Sequence, residues 1–387
     1  MSKEGKVRTV KARQASVNDS RDKLASIQIA RAIAALSVLL FHSHFAVAAY
    51  EARVEIPFFT KHGSFGVDLF FVVSGFIIAH IAGGRSPDLK PYLIRRFFRI
   101  YPIYWMFLIF AVIMYFRYDY RLGGNEYSTA TLIKSFLILP IKDQPWYAVG
   151  WTLEHEIIFY VVAGIVFSFA GYYTLMAVLL AAGVAGLALH SVLPSLGITH
   201  DFWDWHFLDP SMLLFFAGVA VCKYRNTLAG LGVGVPAIIF ALTLWASAAA
   251  IDSGVAPIPQ FGTVLVAAAA ALIVTLLNFE RIGGFKGSAS RLLILIGDAS
   301  FSLYLVHWAM VIELGRVKWR SLFGLQERAE EPWRAAVIIL CIILAVLMFR
   351  FIETPIIFLG HKIAKLCSRE PISVGSQLRS ADESAIR

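Results

Sequence analysis

The sequence predicts an all-α membrane protein of about ten transmembrane helices, with the N- and C-termini in the cytoplasm. Of its 387 residues, 58% are hydrophobic and only 16% are charged. Apolar runs of about 20 residues, long enough to cross a bilayer as a helix, recur along the chain. Short polar segments separate these runs, and Lys and Arg are distributed unequally among them. This composition excludes a soluble globular domain.

Ten apolar segments are predicted to span the membrane. The segment at 209–222 is short, and the fourth one carries Glu154, His155 and Glu156, so hydropathy alone supports these two less strongly. Residues 1–26 form a basic N-terminal segment, 27–357 the membrane domain, and 358–387 a polar cytoplasmic tail that is predicted to be disordered. The ten spans lie near 27–49, 65–84, 98–116, 148–170, 172–193, 209–222, 229–250, 260–279, 291–314 and 333–357.

The orientation follows from the basic residues. With the N-terminus inside, the inner segments hold 22 Lys and Arg and the outer segments hold 11. Cytoplasmic loops are enriched in Lys and Arg, so both termini are predicted to be cytoplasmic. The same rule explains the net charge of +9 better than a nucleic-acid partner does, and none is expected.

The first span carries Arg31 and His42, eleven residues apart. On a helix this spacing is about three turns, so both side chains share one stripe and are separated by roughly 16 Å. Ionisable groups inside a membrane usually face a protein interior or a water-filled cavity. A cation near the cytoplasmic face and a deep imidazole suit a ligand that enters with its anionic end at the arginine. Snorkelling of Arg31 to the headgroups and simple packing of His42 remain open alternatives.

Two carboxylates enter the membrane from the outer side, Asp68 in the second span and Glu156 in the fourth. Either one, placed beside His42, would orient the imidazole and raise its basicity. Thr152 and Tyr160 each lie four residues from Glu156, on the same helical face. Glu154 and His155 point elsewhere, and this spacing does not form a metal site. No metal is therefore expected.

The cytoplasmic joint before the third span contains Arg96 and Arg99, which are one helical turn apart and can act together on one anionic group. Arg95 points elsewhere on that turn. Ordinary positive-inside residues are the alternative interpretation. Farther along the chain, His307 is a second deep imidazole in the ninth span.

Near the end of the tenth span, Arg350 and Glu353 are also one turn apart. They are predicted to pair with each other.

Six motifs, taken together and in this order, resemble the acyltransferase-3 family over residues 27–356. Within that family the chain is most similar to the exopolysaccharide acetyltransferases. Thr152 and the Glu154–His155 pair depart from the commoner residues of the fourth motif. The motifs are Arg31-x10-His42, FFVVSGF around Ser74, RRFFRIYP around Arg96 and Arg99, WTLEHEIIFY from Trp151 to Tyr160, SFSLYLVHW with His307, and FIETP with Glu353.

The resemblance implies an integral-membrane O-acyltransferase that moves an acetyl group from cytoplasmic acetyl-CoA to a carbohydrate hydroxyl. By matching position, Arg31 with His42, Arg96 with Arg99, and Glu156 correspond to motif residues of the family. From the residues themselves, His42, Glu156 and Asp68 are expected to be catalytic, and Arg31, Arg96, Arg99 and Ser74 are expected to bind acyl-CoA. Trp151, Thr152, Tyr160, His307, Arg350 and Glu353 are expected to support substrate or structure. The residues do not decide whether His42 acts as a general base or carries the acetyl group, and we favour the base.

The resemblance also implies the setting of the protein, the inner (cytoplasmic) membrane of a bacterium. The expected partners are membrane lipids, a carbohydrate acceptor that is free or lipid-linked, and polysaccharide-synthesis proteins. The alternative function is a transporter or flippase of a sugar or lipid-linked sugar, which also combines many spans with intramembrane charges. Such transporters commonly show an internal repeat and charge pairs at the midplane. The sequence has no such repeat, and its arginines cluster at the cytoplasmic face.

Overall fold

The computed structural model describes residues 24–43, 61–82, 88–124, 127–142, 144–189, 206–253, 262–314 and 330–368. These residues are helical except for short joints, and the described part of the chain contains no strand beyond one isolated bridge between Leu122 and Tyr147. The predicted all-α class is therefore confirmed. The N-terminal segment before residue 24, His44, the outer loop at 316–329 and the tail after 368 lie outside the described residues.

Thirteen α-helices are numbered here in chain order. The first six are α1 (Ala25–His42), α2 (Phe65–Ala82), α3 (Leu89–Tyr118), α4 (Thr129–Leu137), α5 (Trp151–Phe169) and α6 (Gly171–Leu187). The next four are α7 (Met212–Leu228), α8 (Gly234–Asp252), α9 (Gly262–Arg281) and α10 (Ser288–Asp298). The last three are α11 (Ser300–Leu314), α12 (Glu330–Met348) and α13 (Thr354–Leu366).

Within the described residues, five helical stretches are long and apolar enough to cross a membrane, and the number rises to seven if each of two bent pairs is one span. Helices occupy all ten predicted ranges, but α6 is too short to qualify as a span, and α9 is not among the candidates by length and composition. The five stretches are Ala25–His42, Phe65–Ala82, Leu89–Tyr118, Ala148–Phe169 and Pro332–Leu366. Together they make a multi-pass membrane protein.

One of the two bent pairs differs from a predicted straight span. The predicted span at 291–314 is broken between α10 and α11, which meet at 72°, whereas α7 and α8, which were predicted as separate spans, meet at 113°. Gly297, at the end of α10, lies so close to α1 that an added Cβ would be 1.9 Å from the carbonyl oxygen of Gln28. The chain bends there because α10 packs against α1 at backbone distance.

Close helix contacts through glycine also fix α2 against α7. A Cβ added at Gly75 would lie 2.2 Å from the Phe215 carbonyl oxygen, and one at Gly218 would lie 2.0 Å from the Val72 carbonyl oxygen. Small residues allow this approach in helix pairs packed inside membranes. The N-terminus of α1 is fixed differently, because the Glu280 carboxylate accepts hydrogen bonds from its first backbone N–H groups.

The last span does not end as predicted. A π-helical turn covers Phe349–Glu353, and α13 then continues to Leu366, past the predicted start of the tail at residue 358. Pro355 is accommodated in the first turn of α13, where its missing N–H is not needed. The π turn directs the side chains around residue 353, as described below.

Candidate functional site

One cavity collects most of the polar residues that the sequence singles out. It has an empty volume of about 690 Å³ and lies between α1, α2, α3, α5 and α11. Seven of its lining residues were predicted to be functional: Arg31, Ser74, Arg96, Arg99, Thr152, Glu156 and Tyr160. Its other lining residues are Val67, Phe70, Phe71, Val73, Ile77, Ile100, Leu153, Ser300, Phe301 and Tyr304.

One end of the cavity is cationic. The Arg31 side chain is buried, and its Nη1 donates to Gln28 Oε1 at 3.2 Å. Arg31 and Arg99 both interact electrostatically with the Glu353 carboxylate, which is 1% exposed. Three arginines at one wall repel one another unless an anion is present, and Glu353 offsets part of that repulsion.

Arg96 is held between two aromatic rings. Its guanidinium carbon lies 5.3 Å from the centroid of Tyr160 and 5.7 Å from that of Tyr92. These cation–π contacts fix the plane of the guanidinium. Its Nε is buried and has no hydrogen-bond partner, and the same is true of Ser300 Oγ across the cavity. Buried polar groups are normally satisfied, and both residues line the cavity, so a polar ligand bound there would find two atoms to hydrogen-bond.

The Glu156 carboxylate lies in the middle of the cavity. Its Oε1 accepts a hydrogen bond from Ser74 Oγ at 2.9 Å and another from the Tyr160 hydroxyl. Ser74 lies on α2 and the other two residues lie on α5, so this carboxylate joins two walls of the cavity. Thr152, Glu156 and Tyr160, whose spacing places them on one helical face, all line the cavity.

The other end of the cavity is aromatic. The rings of Phe70 and Tyr304 meet edge to face with their centroids 6.0 Å apart. The Tyr304 hydroxyl donates to the Val149 carbonyl at 3.0 Å and accepts from Thr152 Oγ1 at 2.9 Å. Thr152, predicted as a support residue, therefore holds Tyr304 in place.

His42 and His307 form a pair just beyond this aromatic end. His42 Nδ1 lies 3.1 Å from His307 Nε2, and the His307 ring is 5.6 Å from that of Tyr304. His307 Nδ1 lies 3.2 Å from the Leu303 carbonyl, which can only accept, so Nδ1 carries the proton. In neutral His307 the other nitrogen then accepts from His42 Nδ1–H. The lone pair of His42 is thereby placed on Nε2, as a general base or nucleophile requires.

The sequence predicts a carboxylate beside His42, but the group that lies 3.1 Å from His42 Nδ1 is the His307 imidazole. Glu156 bonds Ser74 and Tyr160, while Asp68 is half-buried in the first turn of α2 and does not line the cavity. A carboxylate in the first turn can stabilise a helix N-terminus, and the catalytic role of Asp68 stays a prediction. In the described residues the partner that orients His42 is another imidazole. Sequence spacing gave no signal for this contact, because α1 and α11 are 265 residues apart at this point.

The predicted pair of Arg350 and Glu353 is also wrong. Arg350 is exposed, whereas Glu353 is buried and its Oε2 accepts from Ser302 Oγ at 2.5 Å. Both residues lie in the π turn, whose wider winding takes residues three apart off a common face. Trp151 is likewise outside the cavity lining and 38% exposed.

A second polar cluster lies near the start of α5 and is separate from the cavity. His206 Nε2 is 2.8 Å from Glu154 Oε2, His155 Nε2 is 3.8 Å from Asp209 Oδ2, and the two imidazole centroids are 4.3 Å apart. These contacts attach residues 206–209 to α5. They explain structurally why Glu154 and His155 replace less polar residues. No group of three or more potential ligands within the described ranges has metal-binding geometry.

We expect His307→Leu to lower activity by about 10- to 100-fold, by analogy with the loss seen when the hydrogen-bond partner of a metal-ligating histidine is removed. Leu fills the site but cannot accept from His42 Nδ1–H, so the proton is free to move to Nε2. His307→Gln keeps an acceptor oxygen and should recover much of the activity. The measurement is the pH–rate profile of the purified variants. Equal losses in the Leu and Gln variants, with unchanged profiles, would make His307 a packing residue only.

Fold and site together define a class: a multi-pass membrane protein with a cationic cavity that ends beside a pair of histidines, of which His307 is buried and His42 is half-buried. The acyltransferase-3 family, described as an acyltransferase domain, matches residues 24–350. The chain therefore belongs to the acyltransferase-3 family, and it is an acyltransferase. The resemblance drawn from six motifs is confirmed.

Three curated relatives illustrate the similarity. The chain is 29% identical over 322 residues to Acyltransferase MdmB of Streptomyces mycarofaciens, covering 76% of this chain and 80% of the relative. It is 30% identical over 254 residues to the exopolysaccharide production protein ExoZ of Rhizobium meliloti, covering 63% and 75%. A third match, 34% over 99 residues to the peptidoglycan O-acetyltransferase OatA of Listeria monocytogenes, covers 24% of this chain and 14% of that one. No solved structure matches the chain significantly.

Proposed function

We propose that the protein is an O-acetyltransferase that moves an acetyl group from cytoplasmic acetyl-CoA to a hydroxyl of an exported or cell-surface carbohydrate. One observation carries this proposal: a single cavity is lined by three arginines and ends at Tyr304, whose ring lies 5.6 Å from that of His307 in the histidine pair. Acetyl-CoA has the matching shape, with several phosphates at one end of a long arm and a thioester at the other.

The donor fits the cationic end of the cavity. Arg31, Arg96 and Arg99 would bind its phosphates, because arginine forms strong, directional hydrogen bonds with phosphate. The unsatisfied Arg96 Nε and Ser300 Oγ offer further polar contacts. Ser74, held by Glu156, would contact the arm in the middle of the cavity. Glu353 is a positioning residue in this scheme because its carboxylate interacts electrostatically with Arg31 and Arg99 and offsets part of their mutual repulsion.

The reaction is a direct transfer with His42 as general base. Its Nε2 removes the proton from the acceptor hydroxyl as the oxygen forms an ester bond to the acetyl carbon. The carbon–sulfur bond breaks, and the CoA sulfur leaves with the electron pair and takes the proton back from His42. His307 stabilises the protonated imidazole by holding its tautomer and orientation. The Ser74 and Tyr160 hydroxyls both donate to Glu156 and would hold that carboxylate beside the arm, whereas donors to the carbonyl oxygen would come from backbone amides.

The orientation and location belong to the same proposal. We place ten membrane crossings and both termini in the cytoplasm, so that the arginine end of the cavity opens to the acetyl-CoA pool; the positive-inside distribution supports this. Two relatives are named as an exopolysaccharide production protein and a peptidoglycan O-acetyltransferase, and these names support a location in a bacterial inner membrane and a carbohydrate acceptor. The acceptor would be free or lipid-linked, and polysaccharide-synthesis proteins would be neighbours.

The test is acetyl transfer by the purified full-length protein in lipid nanodiscs. Acetyl-CoA labelled in the acetyl group is incubated with de-O-acetylated bacterial exopolysaccharides and O-antigen, and released CoA thiol is counted alongside labelled glycan. We expect thiol release with label that mild alkali removes, because an ester is alkali-labile and an amide is not. Empty nanodiscs are the control.

Two outcomes would contradict the proposal. Label that resists mild alkali would make the product an amide. Neither binding nor cleavage of acetyl-CoA, together with passage of a labelled sugar across proteoliposomes, would favour the transporter alternative instead.

A further inference from the structure

Two aromatic rings line the end of the donor cavity that lies nearest the histidine pair. Phe70 and Tyr304 line the cavity, whereas His42 and His307 do not. The rings of Phe70 and Tyr304 are in edge-to-face contact, and the Tyr304 ring also lies against that of His307. A group that extends along the cavity toward His42 therefore meets these two rings.

The order of residues along the helices locates the wall that the Phe70 and Tyr304 rings form. On α2, Phe70 is one turn before Ser74 and about 10 Å, or two turns, before Ile77. Ser74 is at the level of Glu156, and Arg96 lies against Tyr160, one turn farther along α5. The cavity thus runs from the arginines past Glu156 to the aromatic pair.

The wall is held in place on both sides. The Tyr304 hydroxyl is fixed by the Val149 carbonyl and Thr152, and its side chain is only 7% exposed. Phe70 packs against both hydrophobic clusters of the protein, the large one around α2 and the smaller one between α1, α11 and α12. Side chains packed in this way resist displacement by an extra methylene.

We propose that Phe70 and Tyr304 act as a ruler that restricts the donor to short acyl groups. With the CoA phosphates bound at the arginines, the length of the arm is fixed, so any longer acyl chain must displace the Phe70 ring. This inference rests on the proposed function and specifies its donor class: an acyl-CoA with a short, unbranched acyl group. Phe70 is the residue to test, because its ring makes no hydrogen bond.

The experiment measures acyl-CoA cleavage and binding by the full-length protein in nanodiscs with acetyl-, propionyl-, butyryl- and hexanoyl-CoA. Phe70→Ala should raise the ratio of kcat/KM for butyryl-CoA to that for acetyl-CoA by about 10-fold or more, since one methylene is worth 10- to 200-fold in a fitted pocket. Phe70→Leu, which removes less volume, should give an intermediate ratio. The thermal stabilisation of the protein by each acyl-CoA should shift in the same order, independently of turnover.

Ile77→Ala is the matched control, because it enlarges the same cavity on the same face of α2, two turns nearer the arginines. Its chain-length preference should equal that of the wild type. An unchanged chain-length preference in both Phe70 variants, or the same change of preference in Ile77→Ala, would contradict the role of Phe70 and Tyr304 in limiting acyl length. Neither result would contradict the proposed acetyltransferase activity. A wild-type protein that neither binds nor cleaves any acyl-CoA would overturn both proposals.

Discussion

Replacing His42 with Ala is expected to lower acetyl transfer by about 10²- to 10⁴-fold, the usual contribution of a general base. The loss should fall on kcat, because His42 lies beyond the residues that line the donor cavity. Binding of acetyl-CoA, measured by thermal stabilisation of the variant, should be nearly unchanged.

His80→Ala is a suitable control for this loss. His80 is also a half-buried histidine near the end of a transmembrane helix, but it contacts Arg225 at 3.0 Å and is not part of the cavity. Its turnover should stay within about twofold of the wild type, as for substitutions away from a reacting centre. If both variants lost activity equally, or His42→Ala kept full turnover, His42 would have no part in the chemistry.

The composition of the cavity was largely predictable because helical spacing is enough to decide which residues share a face. Thr152, Glu156 and Tyr160 follow one stripe of α5, and Arg96 and Arg99 one turn of α3. Each stripe had to face the protein interior, since ionisable groups inside a membrane avoid lipid. Five helices with one polar stripe apiece then form a polar cavity almost by necessity.

What the sequence could not supply were contacts between helices. The His42–His307 pair joins α1 to α11, and no local pattern indicates which groups meet across such a distance. Phe70 and Tyr304 were missed for a related reason, because aromatic residues in apolar runs carry no signal that separates a cavity wall from a packed core. Glu353 was misassigned because an α-helical spacing was applied to a π turn.

The bends were unpredictable for a different physical reason. Hydropathy reports how apolar a segment is, and the residues around Gly297 are apolar whether or not the helix is straight. The bend there depends on how closely α10 approaches α1, a property of the neighbouring backbone. Span counts from hydropathy therefore describe apolar length and leave the path of the chain open.

Replacing Arg96 and Arg99 together with Ala is expected to raise KM for acetyl-CoA by about 10²- to 10⁴-fold. Each charge-assisted hydrogen bond to phosphate is worth about 1.5–3 kcal/mol, and 1.4 kcal/mol is tenfold in affinity. In steady-state assays kcat should fall much less, because these residues lie at the opposite end of the cavity from the histidines. This pattern is the converse of that expected for His42→Ala.

Arg95→Ala separates specific binding from bulk charge. Arg95 lies on the same turn of α3 and carries the same charge, but it is not among the residues that line the cavity. Its KM should stay within about threefold of the wild type, since a charge near the surface is screened by salt within about 8 Å. Comparable increases in KM when Arg95, Arg96 and Arg99 are each replaced with Ala, abolished at high ionic strength, would mean that the arginines only attract acetyl-CoA to the membrane. An increase confined to Arg96 and Arg99 means that the donor phosphates bind inside the cavity, at a fixed distance from His42.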